Sequence, residues 1–174
     1  MNAETYKLSF SPAILERGFW LYVWRIQTLR GERLYVGRTG DESSPHASPP
    51  FVRMSQHLGW KKQSNALRRN LENDGINPKE CHRFELISHG PIFPEVKKWS
   101  GATREALMEK HKPRRDQNAA MEKQLADDLS AVGYNVLNEV QCRRTYDPEI
   151  WKSVREAFSE EFPRLKNVDF MDTV

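Results

Sequence analysis

The sequence has only two cysteines and no long hydrophobic run. The spacing of Cys81 and Cys142 fits neither a metal site nor a redox pair, so a reducing, intracellular setting is expected and a disulfide between them is not. No apolar stretch approaches the length of a membrane span, and the N-terminus lacks the apolar core of a signal peptide. Together these absences predict a cytoplasmic protein without membrane contact.

Glycine-rich motifs and metal-ligand spacings are also missing. The nine glycines form no phosphate-cradling loop, so no nucleotide cofactor is expected. The five histidines and two cysteines show no zinc spacing, and no internal repeat or heptad pattern is present. With 174 residues, of which 38% are hydrophobic and 29% charged, the chain predicts one domain over residues 1–174 that is large enough to bury its own core.

Positive charge is in slight excess and unevenly distributed. Of 27 basic and 24 acidic residues, residues 147–174 hold four and seven, which leaves 23 and 17 in residues 1–146. Groups of neighbouring basic residues attract a phosphate backbone, although each group alone is also typical of a solvated helix face. We expect a nucleic acid as partner, with contacts from Arg38, Lys61, Lys62, Arg68, Arg69, Arg114 and Arg115.

The stretch from residue 20 to 40 predicts a β-hairpin. It contains two runs rich in aromatic and β-branched residues, interrupted by Arg30-Gly31. With these two residues as the turn, Ile26 lies opposite Tyr35. A loop of odd length would move Tyr35 to the other face. An even loop and the two-residue period of a strand give one face a shared set of apolar side chains: Tyr22, Trp24, Ile26 and Tyr35.

Helical periodicity begins after a polar loop at residues 41–50. An apolar stripe predicts a helix over about 51–58, on which Arg53 and His57 lie side by side at the i, i+4 spacing. Turn and cap signals place the other helices at about 64–74 (N-cap Ser64), 103–112, 114–132 after an interruption at Pro113, and 148–162.

A third strand is predicted from about Cys81 to Ser88, followed by a loop over 90–100. On the helix predicted at 114–132, Glu122 shares a stripe with Leu125 and Leu129, so it lies beside the core face. Residues 134–138 would form a short extended segment that returns past the sheet.

These elements predict an α/β (α+β) fold. A small, mainly antiparallel sheet of three strands is flanked by helices. Residues 19–140 would form the core, and residues 141–174 would add a C-terminal helical extension.

The order of these motifs resembles the GIY-YIG nuclease family over about residues 20–138. Tyr35-Val36-Gly37-Arg38-Thr39 is close to the family's second signature, Tyr-Ile-Gly followed by a basic residue and a hydroxyl. Trp20-Leu21-Tyr22 stands where Gly-Ile-Tyr would, and it matches in its tyrosine and its hydrophobic middle. The family's later functional residues have counterparts in Arg53, His57, Glu122 and Asn138.

The resemblance implies a metal-dependent endonuclease that hydrolyses DNA with one divalent ion, Mg²⁺ or Mn²⁺. Glu122 would bind the metal, since such ions prefer carboxylate oxygen and retain several waters. Tyr22 would orient or deprotonate the attacking water, and Tyr35 would hold the phosphate or the water. A base role for Tyr22 requires nearby positive charge, from Arg53 or the metal, because a phenol normally has a pKa of about 10.

The remaining matched residues also have implied roles. Arg53 would supply a guanidinium for a phosphoryl oxygen, and His57 would move a proton, since histidine titrates near neutrality. Asn138 would orient Tyr22 or Glu122 rather than touch substrate. Cleavage of both strands of a duplex would suggest a homodimer.

Each of these residues has an alternative structural interpretation. Two tyrosines in a hairpin often only pack against each other across the strands. Arg53 could form a surface ion pair, and His57 could be a half-buried ring with satisfied hydrogen bonds. Glu122 could pair with an internal arginine. Asn138 is equally suited to bonding a loop. The alternative function is a nucleic-acid-binding module with this fold and little or no catalysis; a third is an interaction protein that binds no nucleic acid.

Overall fold

The computed structural model describes residues 3–40, 44–60 and 65–168. It has the α+β architecture that the sequence predicts, with a three-stranded antiparallel sheet in the order β2-β1-β3. The strands and helices are β1 (Gly18–Thr28), β2 (Gly31–Arg38), α1 (Pro50–His57), α2 (Ala66–Asn73), β3 (Arg83–Pro94), α3 (Arg104–Ala131) and α4 (Pro148–Glu161).

The hairpin turn lies one residue earlier than predicted. Thr28 pairs with Gly31, so the two turn residues are Leu29 and Arg30 rather than Arg30 and Gly31. The Thr28 hydroxyl donates to the Gly31 carbonyl at 2.7 Å and accepts from the Arg30 amide at 3.0 Å. Gly31 takes a φ of +94°, which favours glycine at this end of the turn.

The shift of the turn changes the register but not the faces. Tyr35 lies opposite Trp24, not opposite Ile26 as predicted, and Tyr22 lies opposite Gly37. Because the register moves by two residues, Tyr35 stays on the same face as Tyr22. The prediction that both tyrosines share a face therefore agrees with the structure.

β3 is longer than predicted and includes part of the expected loop at 90–100. It runs to Pro94 and pairs with β1 on one side only, as the outer strand of the sheet. The prolines at 91 and 94 are compatible with a strand here, because an edge strand tolerates residues without an N–H. The prolines that signalled a loop thus mark a sheet edge.

α3 is one continuous helix, where the sequence predicts two helices separated at Pro113. Thr103 caps its N-terminus as expected, accepting from the Ala106 amide at 3.2 Å. Leu107 before the proline and Leu125 after it are both buried. Packing on both sides of the proline offsets the lost backbone hydrogen bond, so the helix continues through it.

The other helices lie within two residues of their predicted bounds, with Ser64 outside the described residues. α1 and α2 cover the sheet face that carries Tyr22, Trp24, Ile26 and Tyr35. α3 and α4 cover the opposite face, where Leu21, Val23, Leu34 and Val36 pack against Met121, Leu125, Leu129, Trp151, Val154 and Phe158. Both cysteines are free thiols. None of the described helices has the length and apolar character needed to cross a membrane.

Candidate active site

Tyr22 and Gly37 face each other across the hairpin and form the floor of the site. Tyr22 is 2% exposed, and its ring lies over Gly37. A Cβ at position 37 would come within 2.5 Å of the Tyr22 ring and hydroxyl, closer than real Cβ contacts come. The glycine of the second signature therefore makes room for the tyrosine of the first.

His57, the last residue of α1, joins the two tyrosines. Its Nε2 lies 2.6 Å from the Tyr22 hydroxyl. Its ring centroid is 5.4 Å from that of Tyr22 and 5.1 Å from that of Tyr35. Three residues that the resemblance assigned to one site therefore converge around a single imidazole.

The charge states of this cluster follow from burial. Burial, with Arg53 adding to it, lowers the pKa of His57 to about 4, so its ring is neutral at pH 7. Burial, followed by the charge of Tyr35, raises the pKa of Tyr22 well above 10. At pH 7 the bond therefore joins a protonated Tyr22 hydroxyl to a neutral His57, and the tautomer of His57 determines which of the two donates. The Nδ1 atom of His57 is buried and has no hydrogen-bond partner among the described residues.

The expected positive charge near Tyr22 is present but does not dominate. Arg53 and Arg38 both act to lower the pKa of Tyr22, and burial outweighs them. Burial, with Glu122 adding to it, likewise raises the pKa of Tyr35 to about 12. Without a metal, then, these cations do not make Tyr22 a phenolate, and any base role has to include a proton acceptor beside it.

Glu122 reaches the site from the opposite face of the sheet. Its Oε2 lies 3.0 Å from Nε of Arg38, the last residue of β2, and both side chains are 16% exposed. Arg38 also donates to the Gly40 carbonyl. Burial raises the pKa of Glu122 to about 7, although Arg38 and Arg53 both act to lower it. The internal salt bridge that the sequence left open is therefore present.

Arg53 connects the two halves of the site electrostatically. It donates to Gln56 Oε1 at 3.2 Å, one turn along α1. Its charge acts on the pKa of His57, of Glu122 and of both tyrosines. Gln56 was not singled out from the sequence, although its i+3 spacing from Arg53 was a signal for it.

The sequence analysis expects Asn138 to orient Tyr22 or Glu122, but both polar atoms of its side chain bond to Val36 instead. Its Oδ1 accepts from the Val36 amide at 2.9 Å, and its Nδ2 donates to the Val36 carbonyl at 2.8 Å. Just before it, Leu34 exchanges hydrogen bonds with Asn135 and Leu137, which forms a parallel bridge along the outer edge of β2. Asn138 extends this pairing with its side chain and holds the strand between Tyr35 and Gly37.

Ser88 is a member of the site that sequence reasoning missed. It lies opposite Tyr22 on the β3 side of β1, so its side chain shares the face of Tyr22. Its hydroxyl is buried and has no hydrogen-bond partner among the described residues. Only the strand register reveals this proximity.

Most basic residues predicted to contact nucleic acid have intramolecular partners. Arg38 pairs with Glu122, Arg68 donates to the carbonyls of Leu58 and Gly59, and Arg114 donates to the Pro94 carbonyl at 2.6 Å. Arg115 is buried and paired with Asp116, which does not suit a phosphate contact. Arg69 is exposed and acts on the pKa of Tyr35, and Lys61 and Lys62 lie outside the described residues.

A divalent ion fits this site in one respect. No group of three or more His, Cys, Asp or Glu side chains in the described part of the chain has the arrangement of a metal site. A single buried carboxylate can still serve an ion that keeps several waters. The pKa of Glu122 stays raised despite two arginines, so additional positive charge at this carboxylate would be stabilising.

Comparisons with known sequences and structures assign no family to this chain. No protein-family model, curated protein or solved structure matches this chain.

Proposed function

We propose that this chain is a metal-dependent endonuclease of the GIY-YIG type that hydrolyses phosphodiester bonds in DNA. One observation carries the proposal: the Tyr22 hydroxyl bonds to His57 Nε2 at 2.6 Å, and the Tyr35 ring lies against the same imidazole. The family resemblance groups these residues before any coordinates are considered, so their proximity in space is independent support.

The Tyr22–His57 pair would provide the base for the attacking water. At neutral pH Tyr22 keeps its proton and His57 is neutral. With His57 protonated at Nδ1, the Tyr22 proton can pass to Nε2 along this hydrogen bond as the Tyr22 oxygen takes a proton from water. This relay needs no free phenolate, which agrees with the raised pKa of Tyr22.

The phosphate would be held by Arg53 and Tyr35. Arg53 offers a guanidinium whose position is set by Gln56, and guanidinium groups bind phosphoryl oxygens with well-defined geometry. Tyr35 keeps its hydroxyl proton at neutral pH and can donate it in a hydrogen bond to the same phosphate.

Glu122 would hold the divalent ion, Mg²⁺ or Mn²⁺. When bound, such an ion polarises the phosphate and stabilises the leaving oxygen. Arg38 is paired with Glu122, so ion binding would compete with this salt bridge. An Arg38 side chain displaced from the carboxylate would become available to a phosphate oxygen.

Plasmid nicking with Mg²⁺ or Mn²⁺ tests the proposal. We expect the wild-type chain to cut supercoiled DNA and Glu122→Ala to cut at least a hundredfold more slowly. Glu160→Ala is the matched control, because Glu160 is an exposed carboxylate on α4. Equal cutting by the wild type and Glu122→Ala, with circular dichroism showing both folded, would contradict the proposal.

The second candidate is a DNA-binding module without catalysis. The Arg38–Glu122 salt bridge favours it, because the carboxylate already has a partner. Salt-sensitive DNA binding without cleavage, over a range of metals and DNA structures, would identify this function instead.

A further inference from the structure

Trp60 is the most exposed of the five tryptophans, and Trp20, Trp24 and Trp151 are buried. Its side chain is 76% exposed, in the connection between α1 and α2. A single exposed ring is common on protein surfaces, so the groups around Trp60 decide whether it marks a binding surface.

The Trp60 ring is nevertheless held in place. The Arg68 guanidinium lies over it, 4.0 Å from the ring centroid, and the Lys79 ammonium is 5.8 Å away. Arg68 is itself anchored, because it donates to the Leu58 carbonyl at 2.8 Å and pairs with Glu72 at 3.8 Å. A ring fixed before binding loses less conformational entropy when a partner stacks on it.

The surroundings of Trp60 match the chemistry of an unpaired nucleobase. Every base has a π-face that stacks on an aromatic ring, and nearby cations attract the attached phosphates. Arg68 and Lys79 lie at the ring, Arg69 is exposed on α2, and Lys61 and Lys62 follow Trp60 directly in the sequence. This charge favours nucleic acid over a neutral protein surface as the partner.

Trp60 lies close to the candidate active site along the chain. Trp60 follows His57 by three residues, and three residues of chain span at most about 11 Å. Successive phosphates along one DNA strand are separated by about 3.4 Å of helix rise. The 11 Å limit applies to the Cα atoms and the side chains add to it, so a base on Trp60 would lie within a few nucleotides of a phosphate held at His57 and Arg53.

We propose that Trp60 stacks an unpaired base of the DNA substrate, within a few nucleotides of the bond that is cut. The inference rests on the proposed nuclease function and narrows its substrate class. Preferred substrates would carry a bulge, a gap or a junction with single-stranded DNA, where a base is free to leave the helix. Fully paired duplex would bind more weakly, because unstacking a paired base has an energetic cost.

DNA binding by the 174-residue chain in EDTA tests the role of Trp60 without cleavage. Short duplexes carry 2-aminopurine, either as a single-nucleotide bulge or fully paired at the same position. We expect tighter binding of the bulged duplex, and quenching of 2-aminopurine fluorescence as the base stacks. Trp60→Ala should weaken bulge binding on the order of tenfold and abolish quenching, whereas Trp60→Phe should retain much of both.

Trp99→Ala is the matched control. Trp99 is also partly exposed, at 39%, and has the Lys110 ammonium 4.4 Å from its ring centroid, but it lies far along the chain from α1. The inference requires Trp99→Ala to bind both duplexes like the wild type. Equal losses in the two alanine variants would overturn it, since the effect would then be a general one of aromatic surface.

The two proposals fail in distinguishable ways. If the wild type nicks plasmid DNA in a Glu122-dependent manner but Trp60→Ala binds the bulged duplex normally, only the role of Trp60 is wrong. If the wild type binds neither duplex and does not nick plasmid DNA with metal, both proposals are wrong. If Trp60→Ala instead converts a dimer to a monomer in light scattering and leaves DNA binding intact, the ring belongs to a self-association surface.

Discussion

At the scale of single residues, the site depends on a missing side chain. Gly37 has no Cβ, and Tyr22 occupies that space. Gly37 is not among the glycines with positive φ, so its backbone is accessible to other residues and the need for glycine comes from the tyrosine ring alone. A single methyl group would therefore act on the position of Tyr22 and on its bond to His57.

We expect Gly37→Ala to destabilise the fold by about 1–3 kcal/mol, the usual range for overpacking a buried position. The tyrosine ring would have to move, so the 2.6 Å contact with His57 would be lost and the proposed cleavage of DNA would slow. Urea unfolding gives the free energy, and plasmid nicking gives the activity.

A double-mutant cycle provides the control for this prediction. In a Tyr22→Leu background the clashing ring is absent, so Gly37→Ala should cost much less. If the losses in free energy of unfolding from Tyr22→Leu and Gly37→Ala simply add in the double variant, the glycine is needed for a reason other than the Tyr22 ring.

The same scale shows which site residues the sequence could predict. Tyr22 and Tyr35 share a face in any hairpin with an even loop, so the prediction that they lie on one face was correct although the turn was assigned wrongly. Partners such as Glu122 for Arg38, or Val36 for Asn138, join positions on separate elements. These depend on tertiary packing and register, and no local pattern in the sequence specifies them.

At the scale of elements, the two edges of the sheet differ. The outer edge of β2 is covered by residues 135–138, where backbone bonds at Leu34 give way to side-chain bonds from Asn138 at Val36. β3 forms the other edge, with its prolines at 91 and 94. The strand that carries Tyr35 and Gly37 is therefore supported on both sides.

We expect Asn138→Ala to loosen β2 locally. The Val36 amide and carbonyl would both lose their partners, which costs about 1–3 kcal/mol for part-buried polar groups. Hydrogen exchange at the Val36 amide should accelerate, while the Ile87 amide of β3, which faces Val23 of β1, should be unchanged. Acceleration of equal size at both amides would indicate global destabilisation rather than the loss of this support.

Helices and strands were predictable from the sequence where a single hydrophobic pattern determined them. α1, α2 and α4 have amphipathic stripes, and their predicted bounds are confirmed within two residues. β3 and α3 were misjudged because proline was interpreted as a break. Position at a sheet edge in one case, and burial on both sides in the other, offset what proline costs locally.

At the scale of the whole molecule, the candidate site combines groups from both faces of the sheet. Tyr22 and Tyr35 lie under α1 and α2, and His57 is the last residue of α1. Glu122 comes from α3, and Arg38, to which it is bonded, ends β2. Burying this many polar groups changes their proton affinities in opposite directions. The pKa of His57 falls to about 4, and that of Glu122 rises to about 7.

These two pKa shifts change the free energy of unfolding in opposite directions as pH rises. Folded His57 has the lower pKa, so its contribution is complete above pH 6.5 and is lost as pH falls toward 4. Folded Glu122 has the higher pKa, so its contribution is complete below pH 4.5 and is lost as pH rises toward 7. Each amounts to at most about 3 kcal/mol, and between pH 4.5 and 6.5 the two slopes offset each other.

Single substitutions should separate the two opposing pH dependences of the free energy of unfolding, measured in urea without metal. Relative to the wild type, Glu122→Gln should gain stability as pH rises from 4.5 to 7, because it removes the cost of ionising a buried carboxyl. His57→Gln should gain relative stability as pH falls from 6.5 to 4, on top of a constant loss from its bond to Tyr22. Parallel curves for either variant and the wild type would mean that the corresponding group titrates normally in the folded protein, and that the site is more open to water than its burial indicates.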